Sequence, residues 1–402
     1  MENTNLDVII DGYRDEIVET MKRMIAIPSI SPSSGGEGES KRADFLQALL
    51  ESFGLKTKRY DYKDGKSTRS NLVAKYGNAK STIWLIAHID TVAPGDLKAW
   101  SHDPFDAIVK DGRIYGRGTS DNGQDVIASI YALKAIIDSK LSPKYNFGLA
   151  LVADEEVGSA WGMGRLVEEG IFNSSDMFVV PDAGSAGGDE IEIAEKGALW
   201  IKISTIGKQI HASTPDKGIN AHRHAASLIT KIDRFLHEKY SASNPMFDPR
   251  VSTFEPTKHE LNVDSVNIVP GSDVSYIDCR VLPDYSLDEV LKDIKILAEE
   301  EEKTEDGLKI NIETVNRSDT AQPTSGDSDI IMMLTKSVGN KLGIKPKLVG
   351  IGGGTVAFFL RKKGFPVGVW MIDDGTAHQI DEYCTISNIT ADAKVFAGLF
   401  TE

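Results

Sequence analysis

The chain has 402 residues, 41% of them hydrophobic and 26% charged, the proportions of an ordinary globular protein, and its length predicts two domains rather than one core. A formal net charge of −15 argues against a nucleic-acid partner and fits clustered carboxylates that a cation could neutralise. Cysteine occurs only at Cys279 and Cys384, the N-terminus is acidic with no apolar core, and no run approaches a membrane span. These features argue against a disulfide scaffold, a signal peptide and a membrane-spanning helix, and they fit a reducing cytoplasm.

Residues 6–26 place Ile10, Tyr13, Ile17, Met21 and Met24 at steps of three and four, which predicts an amphipathic helix. SPSSGGEGE at 31–39 is a loop by composition. Residues 40–53 read as a helix with Leu46, Leu49, Leu50 and Phe53 on one face and Gly54 as its stop. Short strands are predicted at 55–62, 71–76 and 82–87, then a hairpin over 106–115 turning at Asp111-Gly112, then a helix over 125–138. Residues 147–153 and 177–180 are apolar runs of the kind buried in parallel sheets. The character changes near Gly197. A strand at 199–205, a helix at 221–238, strands at 264–269 and 273–282, a helix at 287–302 and a strand at 308–314 follow the β-α-β-β-α-β, ferredoxin-like order. Alternation then resumes with a helix at 328–341, a strand at 347–351, a helix at 355–363, a strand at 366–371 and a helix at 387–400. The expected fold class is α/β: a mixed, mostly parallel sheet with helices on both faces, formed by residues 1–196 and 315–402, and an inserted α+β domain of residues 197–314.

Polar groups gather at the ends of these strands. TIWLIAHIDT (82–91) ends in His88 and Asp90, two apart and so on one face of an extended chain. A carboxylate beside an imidazole can hold one ring nitrogen and leave the other for a metal. GRGTSDNG (116–123) sets Asp121 before a helix, and VADEEVGS (152–159) sets Asp154, Glu155 and Glu156 after a strand. VVPDAGS (179–185) supplies Asp182, and GTAHQIDEY (375–383) supplies His378. Each has a plain reading: a satisfied core histidine, a helix N-cap, a solvated acidic turn, an ordinary turn. Together, at the carboxyl ends of several buried strands, they are expected to converge on one crevice. Without a cation so many carboxylates would repel one another and raise their pKa values. A mixed His/carboxylate set suits zinc, with cobalt or manganese as substitutes. GRGTSDNG lacks the glycine spacing of a dinucleotide fingerprint and the Lys of a P-loop, so a nucleotide site has little support.

AHIDTV (87–92), GRGTSD (116–121), DEEVGS (154–159), PDAG (181–184), GKQIHASTPDKGINA (207–221) and AHQIDEY (377–383) occur in an order and spacing that resemble the two-zinc aminoacylase/carboxypeptidase family. That family includes acetylornithine deacetylase, succinyl-diaminopimelate desuccinylase, carboxypeptidase G-type enzymes and dinuclear-zinc dipeptidases. The resemblance implies that residues 1–196 and 315–402 are catalytic and that 197–314 form a lid or dimerisation domain. It implies two Zn2+ ions, with His88 and Asp182 on one, Glu156 and His378 on the other, and Asp121 bridging. Asp90 would orient His88, and Glu155 would be the general base that activates water and then protonates the leaving amine. His211, in IHASTP, would reach a partner subunit's site and stabilise the tetrahedral oxyanion, which implies a homodimer. Asn267 and Arg280 resemble positions that hold substrate, Arg280 by gripping a carboxylate. The backbone at Gly353, Gly354 and Thr355 could receive an anionic group, or could be a simple strand–helix turn. His222 and His224 read as surface residues.

Departures from the family pattern bear on the substrate. Asp121-Asn122-Gly123-Gln124 replaces the more usual Asp-X-Lys-Gly, and Val356-Ala357-Phe358 follows Thr355 where many relatives have polar residues. Asp182 stands where deacylases and carboxypeptidases of the family tend to have glutamate and peptidases acting on amino termini or dipeptides tend to have aspartate. The expectation is a metal-dependent amidohydrolase acting on a small N-acyl amino acid, in the manner of acetylornithine deacetylase or the desuccinylase. The alternative is a dipeptidase or aminopeptidase acting on short peptides. A metal-dependent binding protein without catalysis is a third reading, disfavoured because Glu155 and all five ligand candidates are present.

Overall fold

The structure, a computed structural model, describes residues 6–65 and 67–401. The chain forms two compact units. The first comprises Met1–Ile193, Thr324–Leu348 and Thr355–Glu402, and the second Ala194–Pro323 and Val349–Gly354.

The first unit is built on a mixed sheet whose strands lie in the order Thr57–Asp64, Ser67–Tyr76, Asn146–Val152, Thr82–His88, Met177–Val180, Val367–Val369 and Glu190–Glu195, the last of which belongs to this unit as far as Ile193. The four strands from Asn146–Val152 to Val367–Val369 run parallel, and antiparallel neighbours flank them. Thr82–His88, Asn146–Val152 and Met177–Val180 are buried at every residue. This is why they read as continuous apolar runs: a parallel strand covered on both faces has no side left for water. Trp84, Ile86, Ala150, Val152, Phe178 and Val180 pack on one face with the helices Met163–Glu168 and Ala357–Lys362. Side chains of the alternate residues point to the other face, where the helix Gln124–Asp138 packs on the sheet and on the helices Arg14–Ile25 and Ile386–Gly398. Each such apolar side chain contributes about 1.5–3 kcal/mol when fully buried. The strand Thr82–His88 has Asn146–Val152 on one side and Met177–Val180 on the other, the later strand in sequence lying across the earlier. Open α/β sheets keep a crevice beyond the carboxyl ends of their strands at such a reversal.

The second unit is an antiparallel sheet in the order Thr253–His259, Ser272–Val281, Gly197–Ile206 and Lys309–Ser318. Numbered along the chain this is 2-3-1-4, the ferredoxin-like arrangement. Burial alternates along Ser272–Val281 and the inward set, with Leu199, Ile201 and Ile203, meets Leu228, Ile232 and Leu236 of the helix Ala221–Lys239 and Val290 and Ile294 of the helix Leu287–Glu302. Asn220 and Ser286 start these two helices, their side chains accepting hydrogen bonds from Arg223 N–H and Asp288 N–H. No helix among the described residues is long and apolar enough to cross a membrane.

Several elements differ from the sequence expectation. The helix expected over 6–26 is two helices, Leu6–Gly12 and Arg14–Ile25, interrupted at Tyr13 after Gly12. The strand expected at 264–269 lies instead at Thr253–His259; of the expected stretch only Ile268–Val269 is extended, pairing with Ile210–His211. TFEPTKH carries a proline and charged residues, which suit an edge strand but hide it from pattern reading, and its register shifts between Pro256 and Lys258. The strand Glu190–Glu195 also went unpredicted because EIEIAE reads as acidic surface. Its Glu192 is buried against the Arg361 guanidinium at 2.8 Å, and that pairing lets an acidic strand enter the sheet.

Candidate metal centre

The first unit brings His88, Asp90, Asp121, Glu155, Glu156, Asp182 and His378 to one edge of its sheet. His88 closes the strand Thr82–His88, and the peptide after it stays tied to the neighbouring strand through Ile89 N–H donating to Val152 C=O. His88 Nε2 lies 2.7 Å from Asp121 Oδ1 and 3.3 Å from Asp182 Oδ1. His378 Nε2 lies 3.0 Å from Asp121 Oδ2 and 3.0 Å from Glu156 Oε2. Two trios result, His88/Asp121/Asp182 and Asp121/Glu156/His378, each with ligand atoms within 4.8 Å of one another. Asp121 gives one oxygen to each.

A supporting layer holds these groups. His88 Nδ1 is 3.1 Å from the Asp90 carbonyl and 3.5 Å from its carboxylate. The Asp90 carboxylate also reaches the backbone: its Oδ1 accepts from Glu155 N–H at 3.1 Å and its Oδ2 from Glu156 N–H at 3.2 Å. Asp90 therefore splints the turn after the strand Asn146–Val152 as well as facing His88. Asp154 enters that turn in the left-handed region, φ +72°, and its carboxylate is held by Arg69 at 2.7 Å and by Trp161 N–H. Arg69 is in turn paired with buried Glu39. Glu156 is held at both oxygens, Oε1 by Val92 N–H at 3.1 Å and Oε2 by His378. The Glu155 carboxylate has no hydrogen-bond partner among the described residues. Of the adjacent pair, one carboxylate is pinned and the other is loose.

The loop before Asp121 is anchored by Glu382, which sequence reasoning missed. This buried carboxylate accepts from Gly118 N–H at 3.0 Å, Ser120 N–H at 2.9 Å and Asp121 N–H at 3.0 Å, and pairs with Arg117 at 2.6 Å. Gly118 sits at φ +81°, and a Cβ there would collide with the Thr91 methyl, so this position of the Gly-Arg-Gly run needs glycine. Asn122 Nδ2 donates to Asp182 Oδ1 at 2.7 Å and to Pro181 C=O at 2.6 Å, fixing the first trio's second carboxylate. Nothing in the sequence marked Asn122; only its contact with Pro181 and Asp182, far along the chain, reveals it. His378 itself is in the left-handed region, φ +63°, a conformation uncommon outside glycine and found at functional sites.

The electrostatics fit divalent cations. Asp121, Glu155, Glu156 and Asp182 face two imidazoles. Burial pushes Glu155 well above the usual carboxylate range, with Asp182 adding to it, and burial raises Glu156 against the hydrogen bond from His378. Burial opposes charge on His88, yet Asp182 and Asp121 raise it well above an ordinary histidine. Hydrogen bonds to Asp121 and Glu156 push His378 up to about 10. Burial disfavours the charge on Asp121, but the His88 and His378 imidazoles outweigh it and hold that carboxyl below its ordinary range. The carboxylates thus demand positive charge, and the imidazoles supply it as protons. Two nitrogens and the carboxylate oxygens offer a donor set suited to zinc-class ions, which would replace those protons.

The remaining expected residues belong mostly to the second unit. His211 is exposed on the short strand Ile210–His211, and its Nδ1 accepts from Ser213 N–H at 3.1 Å. Asn267 is exposed, its carbonyl accepting from Ala212 N–H at 2.9 Å. Arg280 directs Nε and Nη2 at Asp278, 2.7 and 3.1 Å away, so this carboxylate takes the fork of the guanidinium. Gly353 and Gly354 are exposed. Thr355, in the first unit, is nearly buried, and its hydroxyl accepts from Ala357 N–H at 3.1 Å at the start of the helix Ala357–Lys362. His222 and His224 are partnered, with Asp273 and Glu301.

Residues 84–402 match the profile of the peptidase family M20/M25/M40. An uncharacterised metallohydrolase of Methanococcus maripaludis is 40% identical over 412 residues, covering 96% of this chain and 98% of the relative. A succinyl-diaminopimelate desuccinylase of Orientia tsutsugamushi is 26% identical over 386 residues, covering 94% of each. The crystal structure of an M20 metallo-carboxypeptidase from Sulfolobus solfataricus superposes with a TM-score of 0.77 at 20% identity, covering 96% of this chain and 98% of that one, which shows a shared fold. With its profile match and its near-full-length relatives, the chain is a metal-dependent hydrolase of the peptidase family M20/M25/M40.

Proposed function

We propose that the chain hydrolyses the amide bond of a small N-acyl amino acid, with Glu155 as the general base. The observation that carries this reading is the division of labour in the Glu155–Glu156 pair: Glu156 is held at both oxygens and Glu155 at neither. A carboxylate that moves a proton must be free to swing between water and the leaving group, whereas a ligand must be fixed. Bound at the two trios, two Zn2+ ions, with Co2+ or Mn2+ as substitutes, would polarise the scissile carbonyl and acidify the attacking water. Glu155 takes a proton from that water as its oxygen adds to the carbonyl carbon. It then delivers the proton to the amide nitrogen as the C–N bond breaks, releasing a carboxylic acid and an amine, and the acid's proton passes to the amine to leave a carboxylate and an ammonium group. Burial raises the Glu155 carboxyl above the ordinary carboxylate range, the direction a general base requires.

His211 is read as the oxyanion donor, serving the site of a partner subunit in a homodimer. Its Nδ1 accepts a backbone N–H, so the neutral ring carries its proton on Nε2, where an oxyanion could receive it. Asn267, Arg280, Gly353, Gly354 and Thr355 are read as substrate-holding groups. Arg280 would have to exchange Asp278 for a substrate carboxylate to do so. Cys279 and Cys384 are buried and free, which supports a reducing compartment such as the cytoplasm.

The desuccinylase relative favours an N-acyl amino acid. Asp182, in place of glutamate, favours a short peptide instead and keeps a dipeptidase as the second reading. The Zn2+-loaded protein assayed on N-acetylornithine, N-succinyl-diaminopimelate and simple dipeptides separates them. We expect kcat/KM on an N-acyl amino acid to exceed that on dipeptides by about tenfold or more, ~1.4 kcal/mol of discrimination. The reverse order establishes the peptide reading, and hydrolysis of none of them rejects both.

A further inference from the structure

Among the described residues, three groups of His, Asp and Glu bring ligand atoms within 4.8 Å of one another. Two share Asp121. The third, His222, His259 and Asp273, lies wholly in the second unit, and none of its members is used by the hydrolytic reading. His222 stands in the first turn of the helix Ala221–Lys239, His259 ends the edge strand Thr253–His259, and Asp273 opens the adjoining strand Ser272–Val281.

Asp273 is 1% exposed. Its Oδ2 lies 2.8 Å from His222 Nδ1, 2.9 Å from His259 Nε2 and 2.8 Å from Asn262 Nδ2. Its Oδ1 has only the shared His259 nitrogen at 3.0 Å and a long contact from Ser275 Oγ at 3.4 Å. Three nitrogens thus approach Oδ2, one of them shared with Oδ1, and all of them lie on one edge of the carboxylate. Here the two imidazoles, with centroids 5.7 Å apart and planes at 70°, aim different ring nitrogens at a common point. The nitrogen–oxygen separations match the 2.7–3.3 Å of the trios around Asp121. Both histidine side chains are half exposed, so an ion could enter from water and keep a water ligand.

We propose that His222, His259 and Asp273 form a further metal site for a divalent ion of the zinc class. Two imidazoles and one carboxylate make a three-ligand set, and the fourth position falls to water or to the Asn262 amide oxygen after rotation of that amide. The ion ties the start of a helix to the ends of two paired strands, so its role is to staple the sheet edge.

The test uses the full chain stripped with a chelator and dialysed against Zn2+, with bound metal counted by mass spectrometry. Wild type is expected to hold one more equivalent per chain than His259→Ala and His222→Ala, and the two variants to hydrolyse substrate as wild type does. Equal metal content in all three overturns the proposal. An anomalous map of wild-type crystals at the zinc edge decides independently of how the variants fold. A peak about 2.0–2.2 Å from His222 Nδ1, His259 Nε2 and an Asp273 oxygen is expected, and no peak there overturns the site.

Discussion

In the first unit the imidazoles of His88 and His378 meet opposite oxygens of Asp121, one each. In the second, those of His222 and His259 both meet Oδ2 of Asp273, and His259 is shared with Oδ1. Imidazoles on opposite oxygens give Asp121 a donor trio on each side, whereas imidazoles gathered at one edge give Asp273 a single trio. The two places also differ in what lies behind them. Asp121, Asp182 and Glu156 are backed by Glu382, Asn122, Asp90 and Val92 N–H, most of them buried. Asp273 is backed by little beyond Asn262 and Ser275, and its histidines face water. A site that must place a reacting atom needs the deeper support; one that fastens two elements together does not.

Substitutions can break this contrast. The largest effect is expected for Glu155→Gln, which keeps the shape and removes the base. It should lower kcat by roughly 10²–10⁴-fold while metal content stays at the wild-type level. A near-normal rate would sink the assignment of the base. Glu382→Ala comes next. It strips a buried carboxylate from three N–H groups and from Arg117, a loss of about 3–5 kcal/mol, and should lower the melting temperature by roughly 10 °C in calorimetry. An unchanged melting curve would show that the loop before Asp121 stands without it. Asp90→Asn is expected to have a smaller effect. The amide can accept only on one side, so one of the two N–H groups of Glu155 and Glu156 loses its partner. Metal affinity or kcat/KM should fall about 10–100-fold, measured by titration of the stripped protein and by steady-state kinetics. Against these, His259→Ala sharpens the contrast by costing metal and no activity.

Much of this was legible because strand ends in a parallel sheet carry chemistry and their apolar runs are easy to see. His88, Asp121, Glu155, Glu156, Asp182 and His378 stand just past such runs or at helix starts. What could not be read depended on distant pairing. Glu382 looks like part of a polar tail until the chain returns it beneath Gly118 and Asp121, more than 260 residues earlier. Glu192 looks like surface until Arg361 meets it. The edge strand at Thr253–His259 is disguised by Pro256, and with it went the reason to connect His259 to His222 and Asp273. Tertiary partners decide such cases, and local pattern carries no information about them.

The Asp90 carboxylate grips two successive peptide N–H groups, those of Glu155 and Glu156. Glu155 and Glu156 are therefore held through two successive peptide units by one carboxylate. A displacement of that turn carries both backbone positions together, while the Glu155 carboxylate keeps its freedom to swing. The mounting points of the two side chains therefore move as one.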